Sequence, residues 1–116
     1  MGFEVIATVY QKKAEHRERI RKNKLRRTLE ALKKLSNDVP FEEVYVFGSI
    51  THPGRFTEHS EIDFAFKNLP KEALLSVPGM LSDALERDVN VCRLEALPFQ
   101  NKVLREGIQW RKGSDY

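Results

Sequence analysis

Residues 46–66 read VFGSITHPGRFTEHSEIDFAF. Both ends are apolar; Gly48-Ser49 interrupts the first run, Pro53-Gly54 marks a turn, and Glu61 and Asp63 stand in the second run. The pattern predicts two strands flanking one loop, the first buried on both faces because Val44, Tyr45, Val46 and Phe47 are consecutive and apolar. In a strand, residues i and i+2 share a face, so Glu61 and Asp63 present two carboxylates together while Ile62 and Phe64 point into the opposite layer. Two carboxylates at close range repel unless a cation lies between them. Mg²⁺ suits that place, being a hard ion that takes one or two protein carboxylates and completes its shell with water and phosphate oxygens. Taken alone, the same acid pair also describes an exposed edge face.

Gly48-Ser49 adds a second half to the pattern. A glycine ending a buried strand lets a ligand approach the backbone closely, and the following serine offers an N–H and a hydroxyl to a phosphate. By itself this is an ordinary turn. Joined to the acid pair, it describes a triphosphate held at one end and bridged by metal at the other.

Working outward, residues 11–35 contain no Gly or Pro and are dense in Lys, Arg, Glu, Leu and Ala, which predicts a long helix. Leu25, Leu29 and Leu32 form its apolar stripe, whereas its first half has little beyond Ala14 and Ile20 to bury and is expected to project into solvent or lie against a partner. Residues 3–9, FEVIATV, fit either a short strand or a loose lead-in. Pro70 opens a helical segment and Pro78 a second one, with Leu81 and Leu85 on one side. VNVCRL at 89–94 alternates as a third strand; Pro98 begins a last helix closed by Gly107, and IQW is a short extended end.

The chain has 116 residues, 41% hydrophobic and 32% charged, which fits one small globular core. No apolar run is long enough to span a bilayer and no secretory pattern opens the chain, so a cytoplasmic location is expected. The single cysteine, Cys92, matches no metal spacing and reads as a small core residue. Charge is unevenly placed: residues 1–36 carry 11 Lys and Arg against 4 acids, and residues 37–116 carry 9 against 13. A basic stretch, residues 1–36, thus precedes an acidic body, residues 37–116, and the expected organisation is a basic N-terminal arm or helix, residues 1–24, followed by one folded domain, residues 25–116. Through residues 12–34 such an arm attracts RNA or an acidic partner, or is simply a solvated helix face.

From Gly48-Ser49, the spacer 50–60 and Glu61-Ile62-Asp63, the chain resembles the minimal nucleotidyltransferases of the DNA polymerase beta superfamily, whose signature is Gly-Ser, about ten residues, then Asp-x-Asp. The likeness runs from about Leu25 to Trp110 and takes in VNVCRLEALP as a third catalytic strand. It implies an α+β, palm-like fold with a mixed sheet and helices mainly on one face. It also implies transfer of a nucleoside monophosphate, in the first instance AMP from ATP, to a hydroxyl of a protein or nucleic acid. Two Mg²⁺ ions would be held by Glu61 and Asp63, and the phosphates by Gly48, Ser49 and Arg55. Arg55 would stand in for the basic residue that many relatives carry at the position of Ile50, while His52 and His59 read as exposed turn residues. A third carboxylate is expected where this chain has Asn90, which cannot act as a base; Asp88, two residues earlier, is the substitute. Family members commonly act as antitoxins beside a small all-helical HEPN ribonuclease, which implies a partner of that type. With Glu61 and Asn90 departing from the signature, a catalytically degenerate binding module is the second reading.

Overall fold

The computed structural model describes residues 3–113, so the outermost ends of the two expected segments, 1–2 and 114–116, lie outside the described residues. Helix α1 spans Phe3–Leu35, β1 Glu43–Phe47, β2 Ile62–Lys67, α2 Val77–Leu85, β3 Val89–Arg93, α3 Gln100–Glu106 and β4 Ile108–Arg111. Short 3-10 turns occupy Ser49–Thr51, Lys71–Leu75 and Leu94–Ala96.

The four strands form one mixed sheet in the order β3-β2-β1-β4. β1 pairs antiparallel with β2 and with β4, while β2 and β3 run parallel. A parallel pair needs a crossover, and α2 supplies it. The register places Phe47 opposite Asp63 and Asp63 opposite Asn90, so the end of β1, the start of β2 and the start of β3 meet at one end of the sheet.

Each face of the sheet has its own apolar layer. Val44, Val46, Ile62, Phe64, Phe66 and Trp110 point to one side, where Leu32 and Leu35 of α1 and Val77, Leu81 and Leu85 of α2 cover them. Tyr45 and Ala65 point to the other, beneath Leu94 of the Leu94–Ala96 turn and Val103 of α3. The larger helices therefore share one face, as the resemblance implied, and only the short α3 lies on the other. Below α3 that face ends in a polar cluster: the buried Glu43 accepts from Tyr45 (2.9 Å) and Gln109 (2.7 Å), with Lys67 and Arg111 nearby.

Several elements differ from the sequence reading. Residues 3–9 are neither strand nor lead-in but the first turns of α1, where the helix-favouring run after them extends backward without a stop signal. The segment after Pro70 is a 3-10 turn, and α3 starts at Gln100, past Pro98. IQW is an edge strand hydrogen-bonded to β1. Gly107 does end α3, but with an extended backbone (φ −74°). Glycine is required there by close approach, since a Cβ would come within 2.6 Å of the Val103 carbonyl oxygen.

α1 is continuous from the arm into the body. Residues 4–17 are exposed, and burial begins around Arg21, Leu25 and Thr28. The molecule measures 59 × 27 × 26 Å with a radius of gyration of 16.3 Å, against about 13 Å for a compact chain of this length. Among the described residues, no helix is long and apolar enough to cross a membrane.

Candidate active site

Gly48 follows the last residue of β1 with φ 86° and ψ −156°, a backbone region essentially reserved for glycine. A Cβ there would also overlap the Asp63 carboxylate. Both the conformation and the neighbour exclude a side chain. The chain then turns sharply through Ser49–Thr51, with the Thr51 amide donating to the Gly48 carbonyl (3.1 Å) and the Thr51 hydroxyl donating to the same oxygen (2.7 Å).

The loop that follows is held from inside. Ile50 and Phe56 are buried in the main core, and Arg87 donates to the carbonyls of Thr57 (2.8 Å) and Ser60 (2.9 Å) while its guanidinium lies 4.4 Å from the Phe56 ring centre. With Ile50 turned inward, the position next to Ser49 offers no charge to a ligand. Arg55, beside the inward Phe56, stays exposed.

A cleft of about 530 Å³ opens between this loop and α3. Gly48, Ser49, Arg55 and Asp63 line it, which unites four of the seven residues expected from the sequence. His52, Phe99 and Lys102 line it too. His52 is therefore not the freely exposed turn residue expected; it is half-buried in the cleft wall. Phe99 meets Phe47 edge to face with ring centres 6.3 Å apart. Lys102 had no signal in the sequence, because a lysine on a short helix looks like any solvated one until the fold sets α3 against the β1 end. His59 is exposed, 3.6 Å from Glu58.

The acid residues divide. Asp63 is half-buried at the cleft, and burial is the main cause that raises its proton affinity above that of an ordinary aspartate; the nearby Glu61 charge adds to this, and a hydrogen bond from the Asn90 side chain opposes it. Glu61 lies just before β2, exposed, and lines a separate shallow depression with Asp88, Pro78, Gly79 and Ser82. Asp88 precedes β3 and is also exposed; its carbonyl accepts the Ile62 amide (3.2 Å). Asn90 pairs with Asp63. Glu61 and Asp88 thus continue the rung beyond Asp63 and Asn90. Among the described residues, no three of His, Cys, Asp or Glu come together as a metal-holding group. Cys92 is half-buried, its thiol donating to the Phe64 carbonyl (3.3 Å), and burial and Asp63 push its pKa up, which suits a core residue and not a nucleophile.

No protein-family model and no curated protein matches the chain. Solved structures do. One is the toxin–antitoxin MntA-HpeT, in a mutant form where two aspartates two positions apart are replaced by glutamate. It is 26% identical over 74% of each chain, with a TM-score of 0.58. Another is a protein from Sulfolobus solfataricus assigned as a nucleotidyltransferase, 22% identical over 83% of this chain and 87% of that one, with a TM-score of 0.53. The second likeness speaks to fold alone. The chain has the nucleotidyltransferase fold that the resemblance implied.

Proposed function

We propose that the protein binds a nucleoside triphosphate, ATP in the first instance, in the cleft between the Gly48-Ser49 turn and α3, and transfers the nucleoside monophosphate to a hydroxyl on a protein or nucleic-acid acceptor, releasing pyrophosphate. The observation that carries this reading is the direct packing of Gly48 against the Asp63 carboxylate at the mouth of that cleft. It puts a backbone able to approach phosphate beside a hard oxygen donor. Gly48 and Ser49 receive the phosphates, Arg55 and Lys102 offset their charge, and the exposed ring of Phe99 offers a face for the base.

The donors fit Mg²⁺ in kind. Asp63 is a half-buried carboxylate whose proton affinity is raised by burial first and by the Glu61 charge in addition, so a cation at Asp63 would compensate a charge that the fold leaves poorly solvated. Asp63 and Glu61 would hold one ion, with phosphate and water completing its shell. A second ion would have only the Asn90 amide oxygen, or Asp88 from the next rung. When bound, Mg²⁺ would supply charge neutralisation on the α-phosphate of the transferring nucleotidyl group and on the leaving pyrophosphate. The chain's own task is alignment: the turn and Arg55 fix the triphosphate so that the acceptor oxygen forms its bond to the α-phosphorus as the bond to pyrophosphate breaks.

MntA-HpeT is a toxin–antitoxin, and this supports an acceptor or ligand that is itself a protein; the family resemblance, taken further, makes that partner a helical protein of the HEPN type. RNA drawn by residues 12–34 is the weaker candidate. Arg21 is buried, Lys24 and Arg27 donate to the Leu85 and Ala84 carbonyls at the end of α2, and Arg26 pairs with Glu30. The second reading, a nucleotide- or partner-binding module without turnover, is favoured by one observation: Glu61 and Asp88 face a different depression from Asp63. Incubation with Mg²⁺ and labelled ATP, with and without a helical partner, separates the two. Label transferred by the wild type and lost in Asp63→Ala supports transfer. Nucleotide bound with no label transferred supports the module, and no nucleotide bound by either protein rejects the site.

A further inference from the structure

Arg21 is 9% exposed, the most enclosed cation among the described residues, and it lies on α1 far in sequence from the cleft. Its Nη1 donates to the Ile50 carbonyl at 2.7 Å. Its other two nitrogens each donate to Glu18, Nε at 2.9 Å and Nη2 at 2.5 Å, so the guanidinium plane is fixed. The reason for a charge at this place is in the turn itself. The Ser49–Thr51 turn uses the carbonyls of Gly48 and Ser49 for the amides of Thr51 and His52. The next donor in that ladder, three residues after Ile50, would be residue 53, and Pro53 has no N–H. Ile50 is fully buried, so water does not replace the missing partner cheaply, and Arg21 supplies it.

We propose that Arg21 is the positioning residue of the Gly48-Ser49 turn, fixing from the back of the loop the backbone that receives the phosphates. This rests on the nucleotide reading of the cleft for its consequence, though not for its geometry. Arg21 touches no ligand; it acts through Ile50, one residue from Ser49. Glu18 keeps the fork aimed, and its carboxyl is held below the ordinary glutamate range by the same contact. α1 thereby links the exposed arm to the loop at the head of the cleft, a connection the strand–loop–strand motif does not contain.

The test compares wild type, Arg21→Met, Arg21→Lys and the surface control Arg26→Met, each as the full chain. Amide hydrogen exchange is read at Thr51 and His52 and, as a measure of global stability, at Phe64 in the sheet. The expected result is a loss of protection in Arg21→Met at Thr51 and His52 about tenfold beyond that at Phe64, partly restored in Arg21→Lys, whose single ammonium still reaches a carbonyl, and absent in Arg26→Met. Affinity for Mg²⁺ and ATP, measured by titration, should weaken about tenfold in Arg21→Met and less in Arg21→Lys. Equal loss at all three amides overturns the proposal, as does unchanged nucleotide affinity with a loosened turn. Should Arg21→Met fail to fold, Arg21→Lys and Glu18→Gln carry the same comparison. Should the wild type bind no nucleotide, the reading of the cleft falls, and the exchange measurement alone still decides whether Arg21 holds the turn.

Discussion

Asp63 holds its proton more tightly than a solvated aspartate, chiefly through burial and then through Glu61. A carboxyl whose folded pKa is raised stabilises the fold fully only below its unfolded pKa, and that contribution is lost as pH rises through the folded value. At neutral pH the charge is therefore a cost to folding, as expected for a group kept for binding. Asp63→Asn keeps the acceptor facing Asn90 and removes the charge. It should raise the melting temperature at pH 7 by roughly 2–4 °C, with the gain vanishing in acid below the ordinary aspartate pKa. Mg²⁺ with ATP should stabilise the wild type and not this variant. A thermal scan across pH, with and without Mg²⁺, checks all three. Gly48→Ala suffers twice, from its backbone region and from overlap with Asp63, and should lose about 2–4 kcal/mol in urea denaturation. The double variant with Asp63→Gly should recover the overlap part alone. At this scale Gly48, Ser49, Asp63 and Arg55 were legible because one short segment carries them. Arg21, Lys102 and Phe99 were not, because only the tertiary fold brings α1 and α3 to that segment.

Among the elements, the strands announced themselves by their apolar runs, and the turn residues set their ends. What the pattern left open was the edge and the arm. β4 is short, and its two buried-face residues, Ile108 and Trp110, give no alternation long enough to distinguish a strand from an extended tail. The β-branched residues of FEVIATV pull toward a strand, yet no partner strand is within reach, and continuation of an existing helix costs less than a new nucleus. The arm owes the body little. Val5, Ile6, Val9 and Tyr10 are 46–66% exposed, and Thr8 bonds only within the helix. A chain beginning at His16 should therefore match the full chain in unfolding free energy from urea denaturation to within about 0.5 kcal/mol, while losing helical signal by circular dichroism. A larger loss would mean that the arm braces Arg21 through the helix itself.

For the molecule as a whole, the question is what a protruding basic helix gains from four apolar side chains. Val5 and Val9, and Ile6 and Tyr10, are four apart, so they make one stripe along the helix near its tip, with Lys12, Lys13, Arg17 and Arg19 following. A second copy laid along this arm would oppose like charges over most of its length, which costs affinity. Nucleic acid would use the cations and leave the stripe wet. An acidic helical protein satisfies both features, and the two contributions separate by salt. Cation–phosphate binding of a single-stranded RNA through about four exposed side chains should fall with a log–log salt slope near −3, whereas a protein seated on the apolar stripe should retain most of its affinity at about 0.5 M salt, where screening has removed the long-range field. Val5→Asn with Val9→Asn, which removes the apolar stripe without changing charge, should then weaken the protein complex by about a hundredfold and leave RNA binding within about threefold, since those positions offer no contact to phosphate. Nucleotide affinity should be unchanged in the same variant, because the stripe lies beyond the last helical turn that touches the body. Protein binding that collapses with salt as steeply as RNA binding would show that the arm works through charge alone.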